Sequence, residues 1–114
     1  MIPHGMSVIL NAPAVFRFTA PSCPQRHLNA AALLGADTSR AKLEDAGQIL
    51  AEQIISYMQE LHVPNGLRAV GYSHEDIPAL VKGTVPQHRV TKLSPRPHSE
   101  EDLARLFEDA MVYW

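Results

Sequence analysis

Cysteine is almost missing from this chain: Cys23 stands alone, which excludes an internal disulfide and a cysteine-rich zinc site. A surplus of one charge is missing too. Ten Lys+Arg face twelve Asp+Glu, a net of −2, so bulk charge gives no reason to bind nucleic acid or another polyanion. Any basic site must be local. Long hydrophobic runs are absent as well, because the stretch Met6 to Leu10 is broken at Asn11 and Pro13, far short of a membrane span. No basic leader with a cleavage signature precedes it, so neither a membrane segment nor a targeting signal is expected. Repeats, low-complexity tracts and the strict alternation of a strand are likewise not found.

What remains is a chain of 114 residues, 46% hydrophobic and 19% charged, enough for one globular domain. Its apolar residues fall into helical segments separated by Pro and Gly. From Gly5 to about Thr19 nearly every position is apolar, Val8, Ile9, Leu10, Val15, Phe16 and Phe18 among them, and Pro13 is expected to kink the helix they form. Ser22 and Gln25 have capping-box spacing, which predicts a second helix running to Leu34 with Gly35 as its stop. The longest helix is predicted over Arg40–His62 on the stripe Leu43, Ala46, Leu50, Ile54, Met58 and Leu61. Ser73 and Asp76 cap a shorter helix through Ile77, Leu80 and Val81, where Pro78 fits the first turn. Residues 84–98 read as an extended loop. Ser99 and Asp102 then open a final helix with three acids at its positive end and the stripe Leu103, Leu106, Phe107, Ala110, Met111 and Trp114. The expected fold class is all-α, with about five helices, and the stripes of the third and fifth helices are expected to share one core.

The chemistry-bearing residues are sparse. His4 stands between Pro3 and Gly5 at the start of the apolar stretch. His27, His62, His74, His88 and His98 show no HxxxH or HExxH spacing, so they read as surface polar residues. Lys82, His88, Arg89, Lys92 and Arg96 fall in a stretch without Asp or Glu. No aromatic residue interleaves with them to stack on a base, which argues against nucleic acid.

Three runs carry a resemblance: "PHGMSVILNAPAVFRF", "LLGADTSRAKLEDAGQILAEQI" continuing to "VPNGLRAVGYSHEDIPALVKGT", and "PQHRVTKLSPRPHSEEDLARLF". In order and spacing the chain resembles the C-terminal part of the iron-containing (group III) alcohol dehydrogenases, and within them the hydroxyacid-oxoacid transhydrogenase branch. The resemblance implies a C-terminal helical domain, here residues 1–114, of an enzyme whose nucleotide-binding domain and remaining metal ligands precede it. It implies that His4 is one of three histidines which, with an aspartate, hold Fe²⁺ or another divalent metal, and that NAD carries the hydride between a hydroxyacid and an oxoacid. It places the basic loop near the substrate, with Arg89 and Lys92 as candidate carboxylate-binding residues. No catalytic or cofactor-binding residue is assigned in this chain, and on its own it is expected to bind neither metal nor NAD and to be inactive, since one imidazole cannot hold a catalytic metal. The location expected is the cytoplasm, or the mitochondrial matrix for a eukaryotic source. The alternative is a free-standing helical interaction module without catalytic activity. The first helix separates the two readings, because a fragment should expose apolar surface there and self-associate through it.

Overall fold

Pro13 removes a backbone donor from the middle of the most apolar segment, yet the helix α1 runs through it from His4 to Thr19. Beside the proline the helix is bridged from the other end of the chain. In a computed structural model, which describes residues 4–85, 94 and 96–114, the Tyr113 hydroxyl donates to the Leu10 carbonyl at 2.7 Å and accepts from the Ala14 N–H at 3.3 Å. A proline in a helix interior costs about 3 kcal/mol. The carbonyl that loses its donor is that of Ile9, and the phenol bridges the next rung, between the Leu10 carbonyl and the Ala14 amide.

The tail that carries Tyr113 is itself fixed. Asn65 Oδ1 accepts from the Tyr113 and Trp114 amides at 2.7 and 3.1 Å, and Asn65 Nδ2 donates to the Trp114 carbonyl. The Leu67 and Arg68 amides donate to the Ala110 and Met111 carbonyls at 2.9 and 3.1 Å. Gly66 makes this possible. It sits at φ 76°, and any Cβ there would run into the Met111 carbonyl, so no other residue fits without moving the tail.

Around α1 the remaining helices of the described residues are α2 (Pro24–Leu33), α3 (Ala46–Glu60), α4 (Ile77–Thr84) and α5 (Glu100–Asp109). The described residues thus form five α-helices with short 3₁₀ turns between them and no strand, an all-α fold. α1 packs on both α3 and α5, α2 packs on α3, and α4 packs on α5. Gly47 lets α3 approach the end of α1, since a Cβ there would lie 2.9 Å from Ala20 Cβ. One core joins Leu10 and Ala14 of α1, Ala31 of α2, Leu50, Ile54 and Met58 of α3, and Leu67, Ala110 and Met111. Leu106 and Phe107 of α5 lie against it, so the two stripes do enter one core, with α1 in contact with both helices.

Local signals hold where the partner is close in sequence. Reciprocal capping boxes close at Ser73/Asp76 and at Ser99/Asp102. Gly35, at φ 102°, ends α2 with the paired bonds Ala36 N–H to Ala31 C=O and Gly35 N–H to Ala32 C=O, both 3.0 Å. Other expectations are corrected. The Ser22–Gln25 box does not form, because the Ala20–Ser22 turn moves the N-cap to Cys23. α3 starts at Ala46 after a 3₁₀ turn over Leu43–Asp45, which leaves Leu43 outside the stripe and 52% exposed. Leu61 follows the last turn and is 73% exposed. Trp114 lies beyond the end of α5 and is partly exposed. The extended-loop expectation for 84–98 falls mostly outside the described residues, and α4 continues through Thr84. In α1, Leu10, Pro13 and Ala14 are buried, Phe16 and Phe18 are half-buried, and only Val8 and Val15 of the named apolar side chains are exposed.

Core membership has a measurable consequence. Ile54→Ala is expected to destabilise the chain by about 2–5 kcal/mol, whereas Leu61→Ala, on the same periodic stripe, is expected to cost less than about 0.5 kcal/mol. Urea denaturation checks both, and equal losses would reject the placement of α3.

Burial pushes the Tyr113 phenol from the ordinary value of 10 up to about 12, against the Ala14 N–H and the Arg17 charge, which act to lower it. The unfolded chain therefore ionises first. The contribution of the neutral phenol is complete below about pH 10 and is lost as pH rises towards 12. The stability difference between wild type and Tyr113→Phe, about 1 kcal/mol at pH 8 for a buried hydrogen-bonded hydroxyl, should shrink across that window. A difference unchanged up to pH 12 would contradict the assignment.

Candidate functional site

His4 is the first residue of α1, and its side chain is exposed. Its carbonyl accepts from Ser7 Oγ at 2.8 Å, and one turn later the Ser7 carbonyl accepts from Asn11 Nδ2 at 2.8 Å. The two bonds put His4, Ser7 and Asn11 on one polar stripe of an otherwise apolar helix. A catalytic divalent metal takes about three or four protein ligands. Among the described residues no group of three His, Cys, Asp or Glu side chains comes together. They do not make up a complete metal centre, and His4 offers one imidazole.

Arg89 and Lys92, the candidate carboxylate-binding residues, lie outside the described residues, as does His88. Of the same basic stretch, Lys82 is exposed on α4. Arg96 faces the far end of α1. Its Nη1 donates to the Phe18 carbonyl at 2.7 Å, and its guanidinium carbon stands 4.2 Å above the centre of the Phe18 ring.

The surface assignment of the other histidines is corrected at His27. It is 8% exposed, edge-on to Phe16 with ring centres 5.9 Å apart. His27 Nδ1 is 2.9 Å from the Cys23 carbonyl, which only a protonated nitrogen can approach as a donor. Nε2 then accepts from the Thr19 hydroxyl at 2.7 Å. The Cys23 sulfur is 3.6 Å from Nδ1, but that nitrogen already carries its proton and offers no base to the thiol. The trio ties α2 to the end of α1 and has no feature of an activated nucleophile. His62 and His74 are exposed and His98 half-buried. Spacing could not have found His27, since its partner Thr19 belongs to another helix.

No helix of the described residues is long and apolar enough to cross a membrane.

A family model described as "Fe-containing alcohol dehydrogenase family, C-terminal" matches residues 1–111. Among curated proteins the chain is 62% identical over 111 residues to the hydroxyacid-oxoacid transhydrogenase, mitochondrial, of Xenopus laevis, covering 97% of this chain and 24% of that protein. It is 58% identical over 114 residues to the probable hydroxyacid-oxoacid transhydrogenase, mitochondrial, of Dictyostelium discoideum, covering 100% of this chain and 21% of that protein. The chain thus spans about a quarter of the length of these relatives. Its fold is similar to that of a 1,3-propanediol oxidoreductase crystal structure, with a TM-score of 0.86 and 23% identity over 96% of this chain and 28% of that one.

Proposed function

The chain belongs to the Fe-containing alcohol dehydrogenase family, and on that premise we propose that it is the C-terminal helical part of a hydroxyacid-oxoacid transhydrogenase. The observation that carries this reading is the 62% identity to the Xenopus laevis enzyme over nearly the whole chain. In this proposal the other three quarters of such a polypeptide bring the NAD site and the further metal ligands. His4, exposed at the first turn of α1, contributes one imidazole to that metal. The metal, when bound, supplies polarisation of the hydroxyacid or oxoacid oxygen. What this chain supplies is the rigid rod that holds the imidazole: α1 is anchored by its buried face and by Tyr113, so His4 projects from a fixed element. Arg89 and Lys92 are proposed to attract the substrate carboxylate. The relatives are named as mitochondrial proteins, which supports the mitochondrial matrix for a eukaryotic source. The exposed Val8 and Val15 are the surface through which the isolated chain would self-associate.

The test joins this chain to the preceding three quarters of the Xenopus laevis enzyme. The chimera should oxidise a 4-hydroxyacid at the expense of a 2-oxoacid, while the chain alone shows no turnover with Fe²⁺ or Zn²⁺ and NAD added. His4→Ala in the chimera should reduce turnover by more than about 100-fold, beyond the loss expected of an outer-shell partner. Turnover by the chain alone, or a His4→Ala chimera as active as its parent, would overturn the proposal.

A further inference from the structure

The strongest unexplained polar feature is at the opposite end of α1 from His4, thirteen residues or about 20 Å along the helix. Arg17 is half-buried there, and its Nε is fully buried with no hydrogen-bond partner among the described residues. Buried donors in folded proteins are almost always paired, so this one calls for an acceptor that the described residues do not supply. The atom belongs to a residue that lines a cleft of about 200 Å³ between α1 and α5. Arg96 and Arg105 line the same cleft, as do Asp102 and Asp109. Three guanidinium groups against two carboxylates leave one positive charge uncompensated.

The acids offset only part of that charge, and one of them is engaged elsewhere. Asp102 turns Oδ2 to the Ser99 amide at 2.9 Å as the cap of α5. That amide holds its carboxyl below the usual carboxylate range, with smaller help from Arg96 and Arg105, so it stays ionised and committed to the cap. Arg96 is pre-positioned. Stacking on Phe18 and the bond to the Phe18 carbonyl fix its plane at the cost of only one Nη, so an anion arriving there need not order a free side chain. Rigid guanidinium forks match the planar or tetrahedral oxygens of a carboxylate or phosphate.

We propose that the Arg17–Arg96–Arg105 cleft is a binding site for a small oxyanion bearing one carboxylate or phosphate group. This inference does not depend on the family reading or on His4, because it rests on the orphaned Arg17 donor and the charges around it. Asp109, the last residue of α5, acts against the ligand and tunes its affinity.

The experiment titrates the full chain, ¹⁵N-labelled and at constant ionic strength, with inorganic phosphate and separately with acetate. It follows the arginine Nε–H resonances together with the heat of binding. The Arg17 Nε–H signal should move saturably with at least one of the two anions, and which anion acts identifies the oxyanion type. Arg17→Gln should weaken binding at least tenfold and Arg105→Gln severalfold, Asp109→Asn should tighten it severalfold, and Arg40→Gln, away from the cleft, should leave it unchanged. Circular dichroism checks folding, and if Arg17→Gln unfolds, Arg105→Gln and Asp109→Asn on the outer side of α5 decide the matter. Small shifts that never saturate and affect all arginines alike, or binding indifferent to the cleft substitutions, would overturn the proposal.

Discussion

The hydroxyl of Tyr113, lodged between the Leu10 carbonyl and the Ala14 amide, is the contact on which the arrangement of this chain depends. α1 is the helix that both α3 and α5 pack against, and Pro13 is its weakest point because no amide can be donated there. The adjacent rung, Leu10 to Ala14, is bridged by a tail held by Asn65 and made accessible by Gly66. Residues from the start, the middle and the end of the chain therefore meet at one place. Loss of any of the three would loosen the same stretch of α1, and with it the packing of Leu10 and Ala14 into the core.

That constraint bears on the proposed function because α1 carries a proposed site residue at each end. His4 opens the helix exposed, while Arg17 closes it beside Arg96 and Arg105. A ligand for a metal must be held to within about half an ångström to be useful, and a helix packed on two sides is a better support than a loop. The same packing leaves less of the first helix's apolar surface exposed than its composition suggests. Phe16, which lies against the core, turns its ring to His27, and Phe18 carries Arg96, so both aromatic side chains of α1 find partners on α2 and on the segment before α5. Val8 and Val15 are left.

What the sequence made legible was local. Ser99 with Asp102 and Ser73 with Asp76 are three residues apart, and each box satisfies orphan helix amides without help from the fold. The interior of α3 was legible for the same reason, since Leu50, Ile54 and Met58 repeat at the helical period. Its ends were not: periodicity alone extended the stripe to Leu43 and Leu61, and only the 3₁₀ turn and the terminating residues decide where the helix stops. Tyr113 to Leu10, Arg96 to Phe18 and Thr19 to His27 link different elements, and no spacing rule encodes such pairs. His4 was found as a candidate ligand through resemblance rather than spacing, because one histidine between Pro and Gly has no partner in the pattern. The cleft at Arg17 gave no signal at all, its three arginines being scattered over positions 17, 96 and 105.

The central dependence is that of α1, around Pro13, on the Tyr113 hydroxyl. Native-state hydrogen exchange of single amides in wild type and Tyr113→Phe measures this directly. The Ala14 amide should exchange about tenfold faster in the variant, the effect of about one lost hydrogen bond, over and above any uniform change seen at buried α3 amides such as Ile54. If Ala14 exchanges no faster than the α3 amides in the variant, the phenol contributes nothing local to α1, and the central dependence described here is wrong.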